Sequence, residues 1–284
     1  TKERYLARLF AMRFTDHSRL AVYGNMNNLN DDRKPGENDN WSPSDLFGGL
    51  TQQQLGGLDY NIDARSGKYK LSGNAQVKHA DNTIVNNTNR TNFLANGDTY
   101  DRIVANNRNH NFTLSTDHQF YFEFKNANLN IKPRFNYQYY NNKSGYSSLT
   151  LNRSFASFSK AQLDSLCTPM IGRELIRTAI NRNLRNGLSI GHSLEGSVSM
   201  ESLIKFKHSP DHVTLYADAS LRHATEDSFD RNRIDYYTNG QQSNTDFRNR
   251  YFNNRPDHGY SMTGKVTYSY SVKRGLFFDF SYKY

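Results

Sequence analysis

Hydrophobic and polar residues alternate along most of this chain. Between positions 19 and 26, Leu20, Val22, Gly24 and Met26 fall on one side and Arg19, Tyr23 and Asn25 on the other. Between 69 and 78, Tyr69, Leu71, Gly73, Ala75 and Val77 oppose Lys70, Ser72, Asn74, Gln76 and Lys78. Between 129 and 139, Leu129, Ile131, Phe135, Tyr137 and Tyr139 oppose Asn130, Lys132, Arg134, Asn136 and Gln138. Stretches 188–198, 213–221, 260–270 and 276–284 repeat the pattern. Successive strand side chains point to opposite faces, so a sustained period of two predicts strands that meet two different solvents. No stretch keeps a convincing helical period except a short piece at 159–166, inside a connection.

The spacing of these segments predicts about ten strands: 3–14, 19–26, 54–63, 68–82, 100–124, 129–140, 182–206, 213–229, 259–272 and 276–284. Short connections at 15–18, 64–67, 125–128, 208–212 and 273–275 alternate with long ones at about 27–53, 83–99, 141–182 and 229–256. Outer-membrane barrels alternate in this way, with tight turns on the periplasmic side and long loops outside. Several strands exceed the roughly ten residues that a tilted strand needs to cross a bilayer. The excess, such as the Asn-rich stretch 100–110, suits strands that project above the membrane. The expected fold is therefore all-β, an antiparallel up-and-down transmembrane β-barrel, with residues 1–284 forming part of one barrel domain. Open edges are not tolerated in lipid, so flanking sequence is expected to supply the remaining strands. The chain opens on Thr-Lys-Glu-Arg and runs into a strand pattern, which reads as a segment without signal peptide or plug.

Composition narrows the class further. Nineteen Tyr and eighteen Phe argue against disorder. The longest apolar runs are a few residues, too short for a membrane-spanning helix. One cysteine, Cys167, leaves no disulfide framework and no cysteine-based metal site. The net charge of +9 is dispersed over Arg8, Lys70, Lys78, Lys132, Arg134, Lys205, Arg222 and Lys265 on different strands, whereas nucleic-acid binders gather charge into a patch. These cations are expected on the wet face, balanced by Glu195, Glu201, Asp218 and Asp279, or else attracting anionic solutes or lipopolysaccharide phosphates. No nucleotide-binding glycine motif is present. Asp117-His118 lacks a serine-centred partner motif, so no catalytic residue is assigned.

Other candidates carry two readings each. Phe120, Tyr121, Phe122 and Phe124 before one short turn, and Phe277, Phe278 and Phe280 after another, read as an interfacial aromatic girdle or as ordinary strand enrichment. Asn30, Asp31, Asp32, Asn38 and Asp39 offer oxygen ligands without the EF-hand order and read mainly as a turn-rich loop. His208 and His212 flank Pro210 in a short turn, which leaves a zinc site unsupported; no metal and no cofactor are expected. The connection at 155–181 carries apolar residues that could cover the barrel mouth, bind a partner or pack on neighbouring loops.

The run Tyr23-Gly24-Asn25-Met26-Asn27-Asn28-Leu29-Asn30-Asp31-Asp32-Arg33-Lys34-Pro35-Gly36, followed by Trp41-Ser42-Pro43-Ser44-Asp45, Gly56-Gly57-Leu58-Asp59-Tyr60 and Lys70-Leu71-Ser72-Gly73-Asn74-Ala75-Gln76-Val77, resembles the barrel region of TonB-dependent-receptor-like outer membrane proteins of Bacteroidetes. The resemblance is densest over 19–122. It implies a site in the outer membrane of a Gram-negative bacterium, with membrane lipid as a partner and, through the parent protein, the TonB system and a surface lipoprotein. It also implies nutrient capture or transport through loops and lumen, not catalysis. Tyr23, Trp41, Tyr100, Tyr146, Tyr236, Tyr237 and Tyr251 are the aromatic candidates for a glycan or peptide face. Two alternatives remain: a non-transporting interaction barrel in an outer-membrane complex, and a secreted β-rich binding module.

Overall fold

A computed structural model describes residues 3–29, 34–35, 41–42, 50–168, 171–253, 256–273 and 276–284. The calcium-ligand candidates at 30–32 and 38–39 lie outside these residues. The chain is almost wholly antiparallel strand: β1 (Leu6–Thr15), β2 (Ser18–Asn27), the two-residue β3 (Lys34–Pro35) and β4 (Trp41–Ser42), β5 (Leu50–Asp63), β6 (Tyr69–Asn92), β7 (Thr99–Glu123), β8 (Ala127–Leu151), β9 (Ala179–Lys205), β10 (His212–Thr238), β11 (Gln241–Asn253), β12 (Asp257–Lys273) and β13 (Leu276–Lys283). The main sheet runs β1-β2-β5-β6-β7-β8-β9-β10-β12-β13, with β11 paired to β10 above β12. It is an up-and-down meander of the expected all-β kind, and β1 and β13 do not pair with each other among the described residues.

The ten strands expected from periodicity are all present, but the long connections are shorter than expected. β6 continues to Asn92 and β7 starts at Thr99, leaving six residues between them. The stretch expected as a loop at 229–256 is instead the upper half of β10 and its hairpin partner β11. The polar residues there have low strand preference, but the backbone groups that face the neighbouring strand are satisfied by the β10–β11 ladder, which shifts register once at Tyr236/Tyr237. The β10–β11 turn is Asn239-Gly240, both at positive φ (51° and 74°), the conformation that a two-residue hairpin of matching twist demands.

Residues directly paired across a ladder share a face, so the register sorts every side chain. On β7, one face carries Phe122, Phe120, His118, Thr116, Leu114 and Phe112, and above them His110, Arg108 and Asn106. Its neighbours continue the apolar part with Leu71, Ala75 and Val77 on β6 and Leu129, Ile131, Phe135, Tyr137 and Tyr139 on β8. From Phe122 to Phe112 the strand rises about 34 Å, which a tilt near 40° converts to about 26 Å of height, the span of an outer-membrane apolar band. The upper limit of the band slants across the ladders, from Val77 on β6 to Leu188 on β9 and Phe229 on β10, as tilted strands require. Phe120, Phe122, Phe278 and Phe280 lie on this face. Tyr121 does not: it pairs with Lys70 and Asn130 on the polar face, because alternation puts neighbours of Phe120 and Phe122 on the other side. Phe277 has only its backbone described, paired with Ser271.

Above the band, the described residues 152–168 and 171–178 form a small helical insertion. Helix α1 (Lys160–Asp164) begins with a capping box in which Ser159 Oγ accepts from Gln162 N–H and Gln162 Oε1 accepts from Ser159 N–H (3.3 and 2.7 Å). A second helix, α2 (Arg173–Ile176), follows. Leu163, Leu166, Ile171 and Leu175 bury themselves against Leu149 and Leu151 of β8 and Ala179 of β9. The buried Arg182 guanidinium donates to the carbonyls of Leu166 (2.7 Å) and Thr168, and Arg102 Nη2 reaches Asp164 Oδ1 at 3.1 Å. Leu149, Arg102 and Arg182 stand in one pairing line on the apolar-band side of the sheet. The connection thus packs on the strand wall of β8 and β9, whereas the sequence reading offers neighbouring loops.

Candidate functional site

The face opposite the apolar band is mainly polar, with Phe10, Met12 and Phe14 of β1 and Leu55 of β5 among the apolar exceptions. All eight cations picked out from the sequence fall on it: Arg8 opposite Asn25, Lys70 and Lys78 on β6, Lys132 and Arg134 on β8, Lys205 on β9, Arg222 on β10 and Lys265 on β12. Acidic residues on the same face meet several of them. Arg134 Nε lies 3.0 Å from Asp117 Oδ2, and Arg222 Nε lies 3.6 Å from Glu195 and 3.7 Å from Asp257. Higher up, Arg185 makes a two-pronged contact with Asp230 (2.9 and 3.2 Å), and Ser189 Oγ donates to Glu226 at 2.7 Å. The face therefore carries cross-strand charge pairs rather than a uniform positive field. It suits a polar, hydrogen-bonding solute better than a simple polyanion.

A groove of about 600 Å³ follows this face, lined by Asn74, Asp117, Arg134, Asn136, Glu195 and Arg222 among others. Two tyrosines shape the same wall by lying over glycines directly opposite them. The ring of Tyr23 covers Gly57, where an added Cβ would stand 2.2 Å from the ring, and that of Tyr140 covers Gly191. A side chain at either glycine would displace the ring.

Above the groove, Asp101 ties three strands together. It accepts from Arg90 Nη2 (2.6 Å) and Nε (3.1 Å), Asn92 Nδ2 (2.9 Å) and Thr150 Oγ1 (2.8 Å). Burial alone would raise its pKa, but the hydrogen bonds from Asn92, Arg90 and Thr150 and the charge of Arg90 outweigh burial and hold it below the ordinary value. A depressed folded-state pKa stabilises above the unfolded value of about 3.9 and loses that contribution as pH falls through the lower folded value. Asp101→Asn is expected to loosen the top of the β6–β7 hairpin by about 1–2 kcal/mol at neutral pH, since Arg90 is largely exposed. Limited proteolysis at the 93–98 turn checks this. The variant opens at pH 7, whereas the parent reaches similar cleavage only below about pH 4, with an acid protease.

The structure scatters the seven aromatic candidates. Tyr23 is not in a loop but mid-strand and buried at 7 % exposure, its hydroxyl accepting from Gln76 Nε2 at 3.4 Å. Tyr100 stacks edge-on against Phe155 at 5.7 Å, and Tyr237 packs on the same insertion core, with burial raising its pKa. Tyr146 and Tyr236 stand on the polar face above the groove. Tyr236 donates to Asp246 Oδ2 at 3.2 Å, a bond that raises its pKa more than burial does. Tyr251, at 63 % exposure, faces the apolar-band side of β11 opposite Phe229. Trp41 pairs with Pro35 in the β3–β4 ladder, and its side chain lies outside the described residues. Tyr146 and Tyr236 thus remain beside the polar face, while Tyr23, Tyr100 and Tyr237 are held in packing. Asp117 and His118 point to opposite faces, His118 Nδ1 lying 2.9 Å from the Tyr60 hydroxyl. The described side chains that could share a metal ion are His79, Asp81 and His110, a group that sequence spacing did not bring together.

No family model and no curated protein matches the chain. Among solved structures it is similar to the ferric yersiniabactin uptake receptor FyuA from Yersinia pestis, at 9 % identity over 95 % of this chain and with a TM-score of 0.23. The match covers 43 % of that receptor's chain, and a likeness at this level adds nothing to what the strand register establishes.

Proposed function

We propose that this chain is one wall of an outer-membrane β-barrel of the TonB-dependent-receptor-like kind that its sequence resembles in Bacteroidetes, and that it captures or passes a polar nutrient along its charged face. One observation carries the reading: the register separates an apolar band of about 26 Å from a hydrogen-bonding face that holds a groove of charge pairs. A band of that height fits outer-membrane lipid as its partner. Both edge strands need partners inside lipid, so the reading includes further strands that close the barrel. Coupling to the TonB system rests on the sequence resemblance alone. A second reading, an interaction barrel without transport, draws on the strands and insertion that rise far beyond the band.

Topology is tested first. Cys167 is exposed in the insertion above the band, so the peptide that carries it is expected to react with a membrane-impermeant maleimide on intact cells. Labelling only after lysis would overturn the orientation. Transport is tested by deleting the parent gene and growing cells on individual glycans, peptides or metal chelates as limiting nutrients. A growth defect on one nutrient that Arg134→Glu with Arg222→Glu reproduces supports transport. Unchanged growth on all of them supports the interaction barrel instead.

A further inference from the structure

Three side chains at the upper edge of the apolar band converge in a way that the transport reading does not use. His79 and Asp81 are two residues apart on β6, so they share a face, and the β6–β7 register places His110 directly opposite Asp81. Their ligand atoms all lie within 4.8 Å of one another. Asp81 Oδ1 and His110 Nδ1 are 3.4 Å apart. Two donors bound to one tetrahedral zinc ion at its usual bond lengths stand about 3.4 Å apart, so this pair already has the separation of co-ligands. The rings of His79 and His110 meet edge to face with centroids 4.7 Å apart, which brings the third ligand alongside. His79 Nδ1 and Asp81 Oδ1 are both shielded from solvent without a hydrogen-bond partner.

We propose that His79, Asp81 and His110 form a binding site for a borderline divalent transition metal, with Zn²⁺ as the representative ion. Two imidazoles and one carboxylate suit Zn²⁺, Ni²⁺ or Cu²⁺ and not Ca²⁺ or Mg²⁺, which prefer oxygen cages. Three protein ligands leave a fourth position open. Arg108 competes for the carboxylate: its Nε lies 3.5 Å from Asp81 Oδ1, but the side chain is 62 % exposed and free to turn outward when the ion enters. The bound ion would bridge β6 and β7 where the wall leaves the apolar band.

The test uses the full-length protein that contains this chain, purified in detergent, with each variant's fold checked by heat-modifiable gel mobility. Zn²⁺ alone is titrated in competition with a chromophoric chelator. His110→Ala and Asp81→Asn are each expected to weaken one equivalent of Zn²⁺ by tenfold or more. Arg108→Ala is expected to tighten the same equivalent several-fold, a gain that misfolding could not produce. His223 and His258, whose Nδ1 atoms lie 2.8 Å apart, provide the control. The proposal is overturned if His110→Ala and Asp81→Asn leave zinc binding unchanged, or if His258→Ala removes the equivalent instead.

Discussion

Leu221→Arg is expected to destabilise the folded barrel in lipid by about 2–4 kcal/mol, the cost of placing arginine near the bilayer midplane of a barrel's outer face. Leu221 lies midway up the apolar face of β10, between Gly196 and Tyr260 in the pairing line, and is 54 % exposed. In a water-soluble sheet, a leucine this open could become arginine within about 0.5 kcal/mol. The same substitution therefore has two different outcomes depending on the solvent outside the wall. Asn74→Arg supplies the contrast. It stands on the polar face between Asp59 and Asp117, where a guanidinium gains partners, and it is expected to leave stability unchanged or slightly raised. Denaturant titration in phospholipid vesicles, read by heat-modifiable mobility, distinguishes the pair. Equal behaviour of the two variants would reject the membrane band.

The second large effect is local. Leu166 is fully buried between the helical insertion and the strand wall, and its truncation to alanine removes packing worth about 2–5 kcal/mol. The loss falls on docking of the insertion rather than on the ladders beneath it. Opening of residues 152–178 should rise by at least about 30-fold, by the usual conversion of 2 kcal/mol, while the unfolding midpoint of the barrel stays in place. Hydrogen exchange across the insertion measures the first quantity and denaturant titration the second. Leu94→Ala, at a half-exposed turn position, should change neither. A uniform loss of protection over the whole sheet would show that the insertion and the wall fold as one unit.

Much of the wall was legible in the sequence because alternation is enforced on every residue that touches two solvents. Leu71, Ala75 and Val77 against Lys70, Asn74 and Gln76 already separate the faces, and the register only confirms which strand each pair meets. The projecting halves were harder to read. Asn86, Asn87 and Asn89 resemble loop residues because local strand preference is weak there, and their pairing with Ala105, Val104 and Arg102 is a long-range event. One signal was available: Asn239-Gly240 between polar, strand-compatible runs marks a tight hairpin. The surroundings of the aromatic candidates were hidden for a related reason. Tyr23, Tyr100 and Tyr237 are distinguished from open rings by what lies across the sheet, Gly57 in one case and the insertion core in the others. The His79, Asp81 and His110 group was hidden for the same cause, since only the β6–β7 register sets His110 against Asp81.

The slanted upper limit of the apolar band divides single strands into two stretches that answer to different surroundings. On β10 a change of partner falls close to this limit, since residues up to Ala224 are matched by β12 and those from Asp227 onward by β11. On the proposed membrane reading, lipid would constrain every second residue of β10 up to Phe229. Above it, the outward residues would meet water, the helical insertion where it docks, and whatever approaches the cell. Substitutions and length changes should therefore accumulate unevenly along one continuous strand. A lineage could exchange the projecting hairpin as a cassette, acquiring a new face toward its environment on an inherited wall.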